Sequence, residues 1–195
     1  MTIERLKEAF HDAGTPTILE WLPQNYSQAF VVCVGAGPWK IDRRYKVQCA
    51  ALLELNGRPL EVLESDKIDW FPLVWQNQFI QKMVRHLHTA RTSMDDFCRG
   101  IQLAASKNPL VGLSLYYQSI GAQSKVLSLF ARDALKIAAF PIDRHVERWL
   151  KKYELPVDEI KLLKLCMKAD LNPRAVAVAF FQTGKAKNPK HKKES

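Results

Sequence analysis

The stretch Tyr117-Gln-Ser-Ile-Gly121-Ala-Gln-Ser-Lys125-Val-Leu-Ser-Leu-Phe-Ala-Arg-Asp-Ala-Leu135 decides how the chain is read. An apolar helical run closes at Gly121, a short turn follows, and a new helix starts near Ser124 and runs to Leu135. Val126, Leu127, Phe130 and Ala134 recur at helical spacing and are expected to form its buried face. The first N–H groups of such a helix have no intrahelical partner and point outward. With the positive end of the helix dipole they suit a phosphate. A hairpin of this kind, here Ser119, Gly121, Gln123 and Ser124, grips a DNA backbone without reading its sequence.

Lys125 lies in the first turn of that second helix. The dipole and partial burial are both expected to disfavour an ammonium ion there, lowering its pKa and exposing a nucleophilic amine. Taken alone, Lys125 reads as a solvated surface cation. The second informative piece is Ala139-Phe-Pro141-Ile-Asp143-Arg-His-Val-Glu-Arg-Trp-Leu-Lys-Lys-Tyr153. Val146, Trp149, Leu150 and Tyr153 make a helical stripe, and Asp143 stands before it in N-cap position. Taken alone, Asp143 is a cap. The two roles are compatible, because one carboxylate oxygen can cap while the other faces a cleft.

Together, Gly121-Ala-Gln-Ser-Lys125 and Pro141-Ile-Asp143-Arg-His145, with Asp143 18 positions after Lys125, resemble the helix-hairpin-helix–Gly/Pro–Asp DNA glycosylases. That superfamily includes endonuclease III and the 8-oxoguanine glycosylases. The resemblance covers residues 117–153. It implies an all-α fold of two helical lobes with the catalytic cleft between them. It also implies a glycosylase domain over residues 1–183, and leaves residues 184–195 as a basic mobile tail. It assigns the Schiff-base lysine to Lys125 and the catalytic aspartate to Asp143. The implied activity is base excision with associated lyase cleavage on double-stranded DNA carrying a damaged base, such as 8-oxoguanine. A glycosylase for alkylated bases without lyase activity, and a non-catalytic DNA-binding module, are the alternatives. A monomer is expected, located wherever the DNA is, in the cytoplasm or a nucleus.

This chain departs from the family pattern at several places. Gln123 stands at the usual second hairpin glycine; a positive φ there would cost about 1 kcal/mol. Ile120 stands where proline is common. The cysteine quartet of the iron–sulfur members is missing, so the resemblance is to a clusterless branch with no cofactor. A wedge loop is expected by position near Val34 to Lys40. Trp39, Trp70, Phe71, Trp75 and Phe140 are candidates to stack on a flipped base, and each is also a core candidate.

The rest of the chain agrees with a helical fold. Helices are expected over the stretch from Ile3 to Phe10, ending near Gly14, and over Ile18–Leu22, Arg44–Leu55, Leu60–Leu63 and Met94–Ala105. They are also expected over Leu110–Tyr117, Asp158–Met167 and Pro173–Gln182. Trp70 to His88 presents one apolar face with a break near Gln76. Residues 27–34 form an apolar run that fits either a strand or a buried helix. Gly35-Ala-Gly37 after that run resembles the opening of a dinucleotide-binding fold. Lys40 at the third glycine position and the missing strand–helix alternation argue against it.

The formal net charge of +9 makes polyanions the expected partners, nucleic acid before an anionic membrane surface. Five lysines fall in Lys185–Ser195, which reads as a mobile arm or a solubilising tail. Cys33, Cys49, Cys98 and Cys166 lack metal-site spacing and read as reduced, mostly buried thiols. The opening helix carries acids, unlike a signal peptide. No apolar run nears the roughly 18 residues needed to span a bilayer.

Overall fold

A computed structural model of the protein describes residues 2–17, 25–34 and 77–186. These residues form α1 (Thr2–Ala13), α2 (Tyr26–Val34), α3 (Gln78–Ala90), α4 (Met94–Lys107), α5 (Pro109–Ile120), α6 (Lys125–Asp133), α7 (Arg144–Lys152), α8 (Glu159–Lys168) and α9 (Pro173–Ala186). The protein is mostly α-helical, and no strand occurs among the described residues. No helix among them is long and apolar enough to cross a membrane. The chain divides into two compact units, one of residues Trp21–Ile137 and one of Met1–Glu20 with Ala138–Ser195.

In the first of these units α2 pairs with α6, and α4 packs along α5. The run over residues 27–34 is a helix, which settles the ambiguity left by its composition. Phe30 and Phe130 meet edge to face at 5.1 Å, and Tyr116 lies against Phe130 at 6.1 Å. Caps define the helix starts. Asn77 accepts from the Phe79 and Ile80 amides at 3.0 and 3.2 Å, Ser93 from Asp96 at 3.0 Å, and Asn108 from Leu110 and Val111 at 3.0 and 3.3 Å. The start of α3 just after Asn77 agrees with the break expected near Gln76.

The buried face of α6 differs from expectation. Leu127, Ser128, Phe130 and Ala131 are buried, whereas Val126 and Ala134 are half-buried. The helix also ends at Asp133, short of Leu135. Lys136 takes a left-handed φ of 57°, and the Leu135 and Ile137 amides bond back to Phe130 and Ala131 carbonyls at 3.1 Å.

In the other unit α1 packs against α8 and α9, and α7 against α9. The Val146, Trp149, Leu150 and Tyr153 stripe is buried as expected. On α1 the buried residues are Leu6 and Ala9, and Ile3 and Phe10 are half-buried. Trp149 Nε1 donates to the Ala9 carbonyl at 3.3 Å, Thr183 Oγ1 to Ala13 at 2.9 Å, and Gln182 Nε2 to Thr17 at 2.6 Å. Helix α9 continues to Ala186, so a tail beginning at residue 184 is corrected: residues 184–186 are helical. Gly184 lies so close to α7 that a Cβ there would sit 2.5 Å from the His145 carbonyl oxygen. Phe140 is fully buried against Phe180 at 5.9 Å, which removes it as a base-stacking surface. Val34, expected to open the wedge loop, is instead the buried last residue of α2; the rest of that loop, the other stacking candidates and the helices expected over Ile18–Leu22, Arg44–Leu55 and Leu60–Leu63 lie outside the described residues.

Candidate functional site

The hairpin is built from the end of α5 upward. Gly121 adopts φ 60° and ψ 33°, a left-handed conformation that favours glycine. Its N–H donates to the Gln118 carbonyl at 3.1 Å, and that of Ala122 to Tyr117 at 3.2 Å. This pair of bonds is the Schellman closure of a helix C-terminus. Four residues, Gly121 to Ser124, make the turn. Gln123 is exposed and is absent from the positive-φ residues, so the strain anticipated at this non-glycine position does not arise. Ser124 is extended, and its Oγ accepts from the Leu127 amide at 3.4 Å, capping α6. Below the turn the Tyr117 hydroxyl and Ser128 Oγ are 2.5 Å apart in a buried hydrogen bond that ties α5 to α6.

Lys125 is the first residue of α6 and is exposed. Its expected partial burial is therefore corrected, and with it the contribution of burial to an activated amine. Ser119 Oγ donates its proton to the Leu115 carbonyl of its own helix at 2.8 Å. That leaves the turn's backbone, rather than this hydroxyl, to donate to a phosphate. Sequence reasoning overlooked Lys82. Its Nζ donates to the Gly121 carbonyl at 3.2 Å from α3, adding a second cation to the turn. Its only signal was a lysine in an amphipathic helix 39 positions upstream.

Asp143 belongs to the other unit. It is half-buried and caps α7: its Oδ1 accepts from both the His145 and Val146 amides, at 2.8 and 2.9 Å. The expected N-cap is present, with both capping bonds on one oxygen. Arg148 reaches back over the same turn, its guanidinium 2.9 Å from His145 Nδ1. Just upstream, the Phe140 N–H donates to Oε1 of the buried Glu159 at 2.7 Å. Glu159 too was missed, because after the capping Asp158 it reads as an ordinary first-turn acid of α8.

Cys33, Cys98 and Cys166 are free and buried. Burial pushes the Cys33 and Cys166 thiols up to about 12, and it raises Cys98 further. None of these three is a nucleophile at neutral pH. Cys49 lies outside the described residues. Among the described residues no group of three His, Cys, Asp or Glu side chains is gathered to hold a metal ion. No family model, curated protein or solved structure matches the chain.

Proposed function

We propose that the protein is a helix-hairpin-helix DNA glycosylase with associated lyase activity, removing an oxidised purine such as 8-oxoguanine from duplex DNA. The observation that carries the reading is the turn between α5 and α6. A left-handed Gly121 and a capping Ser124 present the start of α6, and Lys125 stands exposed as its first residue. Asp143, 18 positions on, opens the next helix as the resemblance requires. On this reading the hairpin holds phosphate through main-chain N–H groups while the damaged nucleotide leaves the stack.

The Lys125 amine then attacks C1′ of the sugar. The C–N bond to the enzyme forms as the bond to the base breaks, and the base leaves with a proton. The Asp143 carboxylate stabilises the positive charge that develops on the sugar. The C1′–O4′ bond then opens, with O4′ taking the amine's proton, to leave a Schiff base; loss of a C2′ proton from it breaks the C3′–O bond, expels the 3′ phosphate and cuts the strand.

Borohydride trapping on duplexes carrying 8-oxoguanine, 3-methyladenine, uracil or an abasic site tests this. The wild type is expected to form a covalent adduct, and Lys125→Gln none. Asp143→Asn keeps a capping oxygen and so its Tm, while base release slows by about 10²-fold or more. Release of base without an adduct would favour the non-lyase alternative. Duplex binding with neither would reduce the protein to a DNA-binding module.

A further inference from the structure

The geometry points to Glu159 as a positioning residue for the Asp143 carboxylate, an inference that rests on the reading of Asp143 as the catalytic carboxylate. Glu159 is one of the few charged side chains buried in the described residues, only 6% exposed. A buried carboxylate is costly unless its oxygens are matched by donors. One such donor is the Phe140 N–H, which meets Oε1 at 2.7 Å, the short distance of a charge-assisted bond. The place of Glu159 in the first turn of α8 favours the negative charge as well.

The bond falls three residues before Asp143. Pro141 has no N–H to give, and its ring fixes its own φ, so little slack separates the anchored amide from the cap. The Phe140 ring is locked into the core against Phe180. On the far side of Asp143, Gly184 of α9 presses on the His145 backbone. The approach to the α7 cap is thus pinned by a carboxylate upstream and by close packing downstream. The neutral amide of glutamine could accept the same N–H. Glu159→Gln should therefore keep the anchor, and Glu159→Ala should release it.

Two measurements on the full chain test the assignment. The first is hydrogen exchange at the Phe140, His145 and Val146 amides, which needs no catalysis. Glu159→Ala is expected to speed exchange at all three about 10-fold or more while the α9 amides stay protected. Glu159→Gln should restore wild-type protection. The second is single-turnover base release at saturating lesion duplex. Here Glu159→Ala is expected to lose about 10- to 100-fold in rate with duplex Kd unchanged within about twofold, and Glu159→Gln to recover it. If the alanine variant fails to fold, Glu159→Asp, which keeps the charge but draws the carboxylate back by one methylene, is expected to show the same defects in smaller measure. Unchanged exchange at His145 and Val146 in the alanine or aspartate variant overturns the proposal. So does a rate loss that glutamine does not rescue, or one matched by an equal loss of affinity. A wild type without base release sinks the catalytic reading of Asp143 instead, and leaves the exchange result to judge the anchor.

Discussion

Asp143 closes the start of a helix, and on the proposed function the same side chain also takes part in the chemistry. Its Oδ1 closes the start of α7, so the carboxylate is held by two main-chain N–H groups before any substrate arrives. Such a group needs no reorganisation when positive charge develops near it. His86 carries a different residue-scale consequence. Its ring is half-buried and meets Phe97 edge to face at 5.1 Å, and burial holds its pKa below the ordinary 6.5. The unfolded chain therefore takes up this proton at a higher pH than the folded one. Stability present above pH 6.5 is lost as the pH falls through the unfolded value toward the folded one. Thermal melts between pH 7 and 5 are expected to show a shallower fall in Tm for His86→Gln than for the wild type. Equal slopes would show that His86 titrates alike in both states.

At the scale of elements, α4 and α5 approach closely at Gly112. A Cβ on Gly112 would lie 2.4 Å from Ala105 Cβ and 2.5 Å from Ala105 Cα. The backbones themselves must separate to admit it, because no side chain can swing aside. Gly112→Ala is expected to cost about 1–3 kcal/mol, read as a lower urea midpoint. Adding Ala105→Gly should recover only part, since the new methyl would still press on the backbone of α4. Most of the described elements were legible because apolar residues recur at helical spacing, and the start of α7 because the capping Asp143 precedes its stripe. Their ends were less so. Lys136 and Glu154 take left-handed φ without being glycine, so no residue type marks the turn after α6 or α7. The hairpin was legible through Gly121 and Lys125. Lys82 and Glu159 were not, because each acts through a main-chain group distant in sequence that periodicity cannot name.

At the scale of the whole molecule the net charge of +9 sets how the protein meets a polyanion. Log affinity for duplex DNA is expected to fall linearly with log salt, with a slope that counts neutralised phosphates. Lys82 holds the Gly121 carbonyl with one of its three donors, so its charge stays at the turn where phosphate would sit. Lys82→Gln is expected to flatten that slope by about 1 while leaving borohydride trapping intact at low salt. A slope equal to that of the wild type would make Lys82 a helix-end prop only. The unit carrying Asp143 has a further property. Its first helix, α1, is bonded through Ala9 and Ala13 to Trp149 and Thr183, and Thr17 just beyond it to Gln182. During translation α1 is made before α8 and α9, and its apolar side stays uncovered until those helices emerge. The Trp21–Ile137 segment is contiguous and does not share that delay. A prematurely terminated polypeptide would display Leu6 and Ala9 to proteases and chaperones, so quality control could remove incomplete copies.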